Sequence, residues 1–148
     1  MTTGKAESTR STFRRTVRVA TTIRATPERV WALLTDAAGI PSWTSTVTRI
    51  DGRIALGERL TIVVPYSKRT FPVTVDVFDA PSRLVWSDGN AIFRGVRTYT
   101  ITPSGPLTTF AMEEVFTGVM LPLIAGSLPD FAPIFEQYAA HLKAAAER

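Results

Sequence analysis

The sequence predicts an α+β domain: a curved antiparallel sheet of about seven strands wrapped around a long C-terminal helix, with two short helices after the first strand. Three observations carry this. Four turn signals between Ser45 and Thr117 all place the intervening apolar residues on one common face. After Phe116 the apolar period changes from two residues to that of a helix. The chain has 148 residues, 45% hydrophobic and 20% charged, which suits a single core.

The first strand is read from Thr16 to Arg24, where apolar and polar residues alternate and β-branched types dominate. Thr26-Pro27-Glu28 then starts a helix. Thr26 serves as N-cap, Pro27 occupies the first position, where its missing N–H costs nothing, and Glu28 faces the positive end of the dipole. Val30, Trp31, Leu33 and Leu34 give this helix its apolar stripe, and the segment from Asp36 to Pro41 stops it. Ile40-Pro41-Ser42-Trp43 reads as a second brief turn, and Val47–Asp51 as a shallow strand.

The strands beyond are tested by which side chains share a face. A turn at Ser67-Lys68 pairs Val64 with Phe71, Ile62 with Val73 and Leu60 with Val75. The connection Asp79–Ser82 sets Val75 opposite Trp86 and Val77 opposite Leu84. Asp88-Gly89, read as a two-residue hairpin, pairs Trp86 with Ala91 and Leu84 with Phe93. A turn at Ser104-Gly105 pairs Ile101 with Thr108, Tyr99 with Phe110, Arg97 with Met112, Gly95 with Glu114 and Phe93 with Phe116. A one-residue error at any turn would send a strand's apolar residues to solvent, so their agreement is the best argument for the meander. Phe131, Ile134, Phe135, Tyr138 and Leu142 then form one face of an amphipathic helix. It starts either near Leu121, kinked at Pro129 and Pro133, or only at Asp130.

Composition removes several functions. With no Cys and one His, thiol chemistry, disulfides and zinc or iron–sulfur sites are not expected, and no metal or cofactor is predicted. No G-x-G-x-x-G, P-loop or nucleophile-elbow sequence occurs. The lone histidine, His141, is expected on the surface near the helix C-terminus. The longest charge-free run, Val115–Pro129, has 15 residues and is broken by Gly118, Pro122 and Gly126, so no transmembrane segment is expected. The first residues lack the apolar core of a secretory signal, and a cytoplasmic location is the expectation. The formal charge of +4 lies entirely within residues 1–18, leaving 12 basic and 12 acidic side chains in the rest. Residues 1–14 are accordingly read as a flexible basic arm on a neutral domain of residues 15–148, and nucleic acid is not an expected partner.

The inner face is apolar except at Arg97, Tyr99, Thr108 and Glu114. Arg97 and Glu114 come out as diagonal neighbours on adjacent strands, with Gly95 leaving room opposite the carboxylate. Two readings stay open: an ion pair that fixes the strand register and touches no ligand, or a polar anchor inside a cavity. A catalytic version has Glu114 removing a proton beside a carbonyl while Arg97 or Tyr99 stabilises the enolate. The expected ligand-binding lining comprises Phe71, Val73, Val75, Trp86, Phe93, Arg97, Tyr99, Phe110, Met112, Glu114 and Phe116 from the strands. Met120, the helix residues Phe131, Phe135 and Tyr138, and Trp43 as a plug or lid complete it.

From Val17 to Glu147 the chain resembles the START/Bet v 1-like superfamily of helix-grip proteins (SRPBCC), in particular small bacterial polyketide cyclase/dehydrase-type and CoxG-like members. The resemblance is carried by Ala25-Thr26-Pro27-Glu28-Arg29-Val30-Trp31-Ala32-Leu33-Leu34-Thr35-Asp36, by Trp43, and by Glu114-Val115-Phe116-Thr117-Gly118 running into Leu121-Pro122-Leu123. It implies an elongated apolar cavity between sheet and helix that takes lipids, sterols, polyketides or other hydrophobic molecules. It implies no catalytic set here, because the polar residues used by enzymes of the superfamily differ between branches. The expected function is therefore binding, transport or sequestration of a hydrophobic or amphipathic small molecule. A cofactor-independent cyclase or dehydratase in the same cavity is the first alternative, and an interaction module using the outer face or the arm is the second.

Overall fold

A computed structural model describes residues 3–148. Its sheet has eight antiparallel strands in the order β1-β2-β8-β7-β6-β5-β4-β3. These are β1 (Glu7–Arg10), β2 (Arg14–Ile23), β3 (Arg49–Asp51), β4 (Arg59–Val63), β5 (Phe71–Asp79), β6 (Arg83–Gly89), β7 (Arg94–Ser104) and β8 (Leu107–Thr117). Helices α1 (Pro27–Thr35) and α2 (Ile40–Trp43) cross from β2 to β3, which lie toward opposite edges of the sheet. Beyond β8 come α3 (Leu121–Ile124), a 3₁₀ turn (Ala125–Ser127) and the long helix α4 (Phe131–Ala146). This is the helix-grip fold, with one strand more than expected. The additional strand is β1, so the basic arm is not a free tail: Glu7–Arg10 pairs with Arg15–Arg18. Residues 1 and 2 of the arm lie outside the described residues.

Local chemistry sets the helix starts, at Thr26 as anticipated and, of the two starts the sequence allows for the last helix, at Asp130. The Thr26 hydroxyl accepts from the Arg29 N–H at 3.1 Å. Asp130 caps α4 by accepting from the Ala132 N–H at 3.1 Å. Pro133 falls in the first turn of α4, where the missing N–H would have had no helical partner, so the helix begins cleanly and α3 is a separate element.

The inner face carries Val17, Val19 and Ile23 of β2, Leu60 and Ile62 of β4, Leu84 and Trp86 of β6, and Phe110, Met112 and Phe116 of β8, all buried. Each such side chain contributes about 1.5–3 kcal/mol by leaving water. Against them α4 sets Phe131, Phe135, Tyr138, Ala139, Leu142, Ala145 and Ala146. The two ends of α4 differ. Near its C-terminus, alanines permit close approach to β2, and polar bonds clamp that edge: the Lys143 ammonium donates to Thr22 O at 2.8 Å and the Glu147 carboxylate accepts from the Arg24 N–H at 2.8 Å. Near its N-terminus the bulky Phe131, Ile134 and Phe135 hold the helix off the sheet.

Several expected registers are corrected. The β6–β7 connection is not a two-residue turn at Asp88-Gly89: Gly89 pairs with Arg94, and Trp86 faces Arg97 rather than Ala91. The intervening loop is closed by Asn90, whose N–H donates to Phe93 O at 2.9 Å and whose side chain accepts from the Ile92 N–H at 2.8 Å. Between β7 and β8, Ser104 pairs with Leu107, so the two central residues are Gly105 and Pro106. Gly105, at φ +64°, holds the first central position, where a positive φ is required; the expected Ser104-Gly105 centre would have asked Ser104 for it. In β4–β5, Leu60 faces Val73 and Ile62 faces Phe71, two residues from the expected pairing. In β5–β6, Val75 does face Trp86, but a bulge at Asp76 places Phe78 rather than Val77 opposite Leu84. The ring of Phe78 then packs edge-on against Trp31 at 5.2 Å.

Candidate functional site

Because α4 is clamped to β2 and propped away from the middle of the sheet, space remains over β4–β8. It forms a cavity of about 210 Å³. Its walls are mostly apolar: Ile62 and Val64, Phe71 and Val73, Trp86 and Phe93, Met112 and Phe116, and Phe131, Ile134 and Phe135 of α4. Phe71, Gly89 and Phe93 are among its more exposed lining residues and mark its rim. Aromatic contacts stiffen the walls, with Phe93 stacked on Phe116 at 6.0 Å and Phe116 on Phe131 at 5.5 Å.

The polar exception is a pair. Arg97 of β7 lies directly opposite Glu114 of β8, and its Nε–H donates to Glu114 Oε1 at 2.7 Å. Their side chains keep only 19% and 10% exposure. Both line the cavity. The Arg97 guanidinium carbon also sits 5.0 Å over the Phe135 ring. Gly95 pairs with Phe116 rather than with Glu114, yet a Cβ there would come 3.1 Å from Glu114 Oε2, so the glycine still clears the carboxylate, now from the diagonal position. Burial pushes the Glu114 carboxyl above its usual range, and the charge and hydrogen bond of Arg97 oppose that without cancelling it. For Arg97, burial acts to lower the pKa, but Glu114, Tyr99 and Tyr66 together outweigh it and hold the guanidinium protonated.

Of the expected lining, Phe71, Val73, Trp86, Phe93, Arg97, Met112, Glu114, Phe116, Phe131, Phe135 and Tyr138 are brought together around the cavity. Five are not. Val75, Tyr99 and Phe110 lie on the correct face but belong to the solid core, each at most 1% exposed. Tyr99 packs edge-on against Trp86 at 5.2 Å and tilted against Tyr138 at 6.1 Å. Trp43 meets Tyr138 edge-on at 5.2 Å beneath the short helices, outside the cavity, and its buried Nε1–H has no partner among the described residues. Met120 is 37% exposed, in a segment where its N–H donates to Ile92 O at 3.1 Å. Thr46, Val47, Tyr66 and Leu128 line the cavity although they were not expected to. They come from irregular segments, where no period signals a direction. His141, expected on the surface, is half-buried, with Nδ1 at 2.9 Å from the hydroxyl of Thr44. Among the described residues no cluster of three or more His, Cys, Asp or Glu is arranged to hold a metal ion. Among the described residues no helix is long and apolar enough to cross a membrane.

A family model described as polyketide cyclase/dehydrase and lipid transport matches residues 14–147. The chain belongs to that family. Solved structures agree on the fold this family shares with the SRPBCC superfamily. The protein MLL2253 from Mesorhizobium loti is 24% identical over 88% of this chain and 95% of its own, with a TM-score of 0.69. A START superfamily protein from Mycobacterium smegmatis is 17% identical over 89% and 97%, with a TM-score of 0.64. A norcoclaurine synthase point mutant from Thalictrum, solved with a transition-state analogue, is 11% identical over 93% and 97%, with a TM-score of 0.69. Among curated proteins none matches. The cyclase/dehydrase and lipid transport family is thus placed by almost the whole chain, while these structural likenesses speak for its fold.

Proposed function

We propose that the protein binds a hydrophobic or amphipathic small molecule in the cavity between α4 and strands β4–β8. The observation that carries this is an apolar hollow of about 210 Å³ with one buried polar pair at its wall. Hollows of this kind suit small ligands: apolar burial supplies about 25 cal/mol per Å² before ordering costs, and a few polar groups set orientation. The family description joins cyclisation, dehydration and lipid transport, and supports the reading at the level these share, an apolar molecule held in a pocket. No catalytic role is proposed for Glu114: its Oε1 is tied to Arg97 in a buried ion pair, which serves as a polar anchor.

Native mass spectrometry of protein purified from its own host tests the proposal. The expected result is a copurified apolar molecule near one-to-one ratio, lost in Val73→Phe, which fills the wall of the cavity. Protein that carries nothing, and whose uptake of apolar fluorescent probes is unchanged by Val73→Phe, would overturn it.

A further inference from the structure

The charged lining of the cavity is one cation and two anions: Arg97, Glu114 and, at the rim, Asp88. Asp88 is met from outside by Arg59 at 3.3 Å. Within the cavity, then, the only cation is already matched by Glu114. The match is incomplete in hydrogen bonds. Arg97 uses Nε–H toward Glu114 Oε1 and shares a further side-chain hydrogen bond with Tyr99, which together occupy two of its five N–H donors, and Glu114 Oε2 accepts no hydrogen bond from a described residue. Both side chains line the cavity, and neither leaves a fully enclosed polar atom without a partner. The wall therefore presents free N–H donors beside a free carboxylate acceptor, with no net charge left to give.

We infer that the ligand's polar end is electrically neutral and carries an acceptor next to a donor, as an amide, an alcohol or a hydroxycarbonyl does, and that the site discriminates against carboxylates. This rests on the cavity being the binding site. A neutral amide satisfies both halves of the pair: its C=O accepts from an Arg97 Nη–H and its N–H donates to Glu114 Oε2. A carboxylate satisfies the arginine but sets a second negative oxygen against Glu114 in a water-poor pocket, where like charges repel far more than in bulk solvent.

The test compares octanamide, octan-1-ol and octanoate by isothermal titration calorimetry at pH 7.5. They share a chain of about the size a hollow of 210 Å³ accepts, counted at roughly 30 Å³ per water-sized group. With the apolar contribution common to all three, the neutral probes are expected to bind at least tenfold more tightly than octanoate. Glu114→Gln, checked for folding by its thermal transition, is expected to tighten octanoate at least tenfold, because Arg97 then has a charge to give. Octanoate equal to or tighter than octanamide in the unaltered protein overturns the inference while leaving cavity binding intact. Failure of all three probes to bind, with Val73→Phe indistinguishable from the parent, overturns the cavity reading and this inference with it. If Glu114→Gln does not fold, the order of the three probes on the unaltered protein decides alone.

Discussion

Removing one partner of the buried pair has a cost that can be bounded from chemistry. Arg97→Met keeps the length and apolar stem of the side chain but leaves Glu114 8% exposed with no counter-ion. Breaking such a pair ordinarily costs about 3–5 kcal/mol. Glu114 has an escape, since it can take up a proton. A carboxyl that ionises near 4.5 when unfolded needs a proton at pH 7 against a gap of 2.5 pH units, which at 1.36 kcal/mol per unit caps the penalty near ~3.4 kcal/mol. At pH 5 the cap falls to about 0.7 kcal/mol by the same conversion. Loss of the guanidinium over Phe135 adds about 0.5–2 kcal/mol at any pH. Arg97→Met is therefore expected to lose at most about 4–5 kcal/mol at pH 7 and at most about 1–3 kcal/mol at pH 5, with the larger loss at pH 7, read from urea unfolding midpoints with m unchanged. Equal losses at the two pH values, or a loss under 1 kcal/mol at pH 7, would refute the claim that Arg97 is what stabilises a buried Glu114 carboxylate.

Gly118 stands at φ +133° with its missing Cβ pointing into Ile92 O, so Gly118→Ala should cost more than about 2 kcal/mol in the same urea assay, and a smaller loss would mean the β6–β7 loop is free to move. Tyr66, Tyr99 and Tyr138 all have raised pKa values, burial being the largest cause for each. A raised folded-state pKa gives stability that is complete below the unfolded value of 10.0 and lost above it. The melting temperature should accordingly hold to about pH 10 and fall beyond it, less steeply in Tyr138→Phe, and a flat profile to pH 11 would contradict their burial. Deleting residues 1–10 removes a fully exposed strand and the 2.8 Å bond from the Ala6 N–H to Glu136, so a loss of about 1–2 kcal/mol is expected, whereas a loss above 4 would make β1 part of the core.

What the sequence made legible was direction rather than partner. Leu60, Ile62, Leu84, Trp86, Phe110 and Met112 face inward as their alternation requires, and Phe131, Phe135, Tyr138 and Leu142 of α4 meet them. The pairings behind those directions were misread at three hairpins. Trp86 faces Arg97 instead of Ala91, Tyr99 faces Met112 instead of Phe110, and Ile62 faces Phe71 instead of Val73. Each error is an even number of residues, and an even slip keeps every side chain on its own side of the sheet. Only the bulge at Asp76 inserts an odd step, and there the inward residue itself changed, from Val77 to Phe78. Strand β1 was illegible because all of its residues are exposed and its pairing uses backbone alone. Thr46, Tyr66 and Leu128 reached the cavity from loops, and the contact between Thr44 and His141 spans 97 residues, so no local pattern could announce either.

The same insensitivity to even slips gives the Arg97–Glu114 pair a structural task that apolar packing cannot perform. If β7 moved two residues along β8, Tyr99 or Gly95 would face Glu114, and the inner face would remain as apolar as before, but the two charges would become diagonal neighbours about 7–8 Å apart and lose their direct cross-strand contact. The pair thus penalises the alternatives that alternation leaves nearly equal, much as a single buried polar residue sets register in a coiled coil. Replacing both residues, as in Arg97→Met with Glu114→Leu, should be neutral or stabilising by up to a few kcal/mol, since no charge then needs burial. The gain should come with a loss of uniqueness, visible as doubled or broadened amide resonances along Arg94–Ser104 and Leu107–Thr117 in a ¹⁵N correlation spectrum. A double variant that is both more stable and as singly resolved as the parent would show that Gly105-Pro106 and the Asn90 loop hold the register unaided. The pair would then be kept for what it offers a ligand.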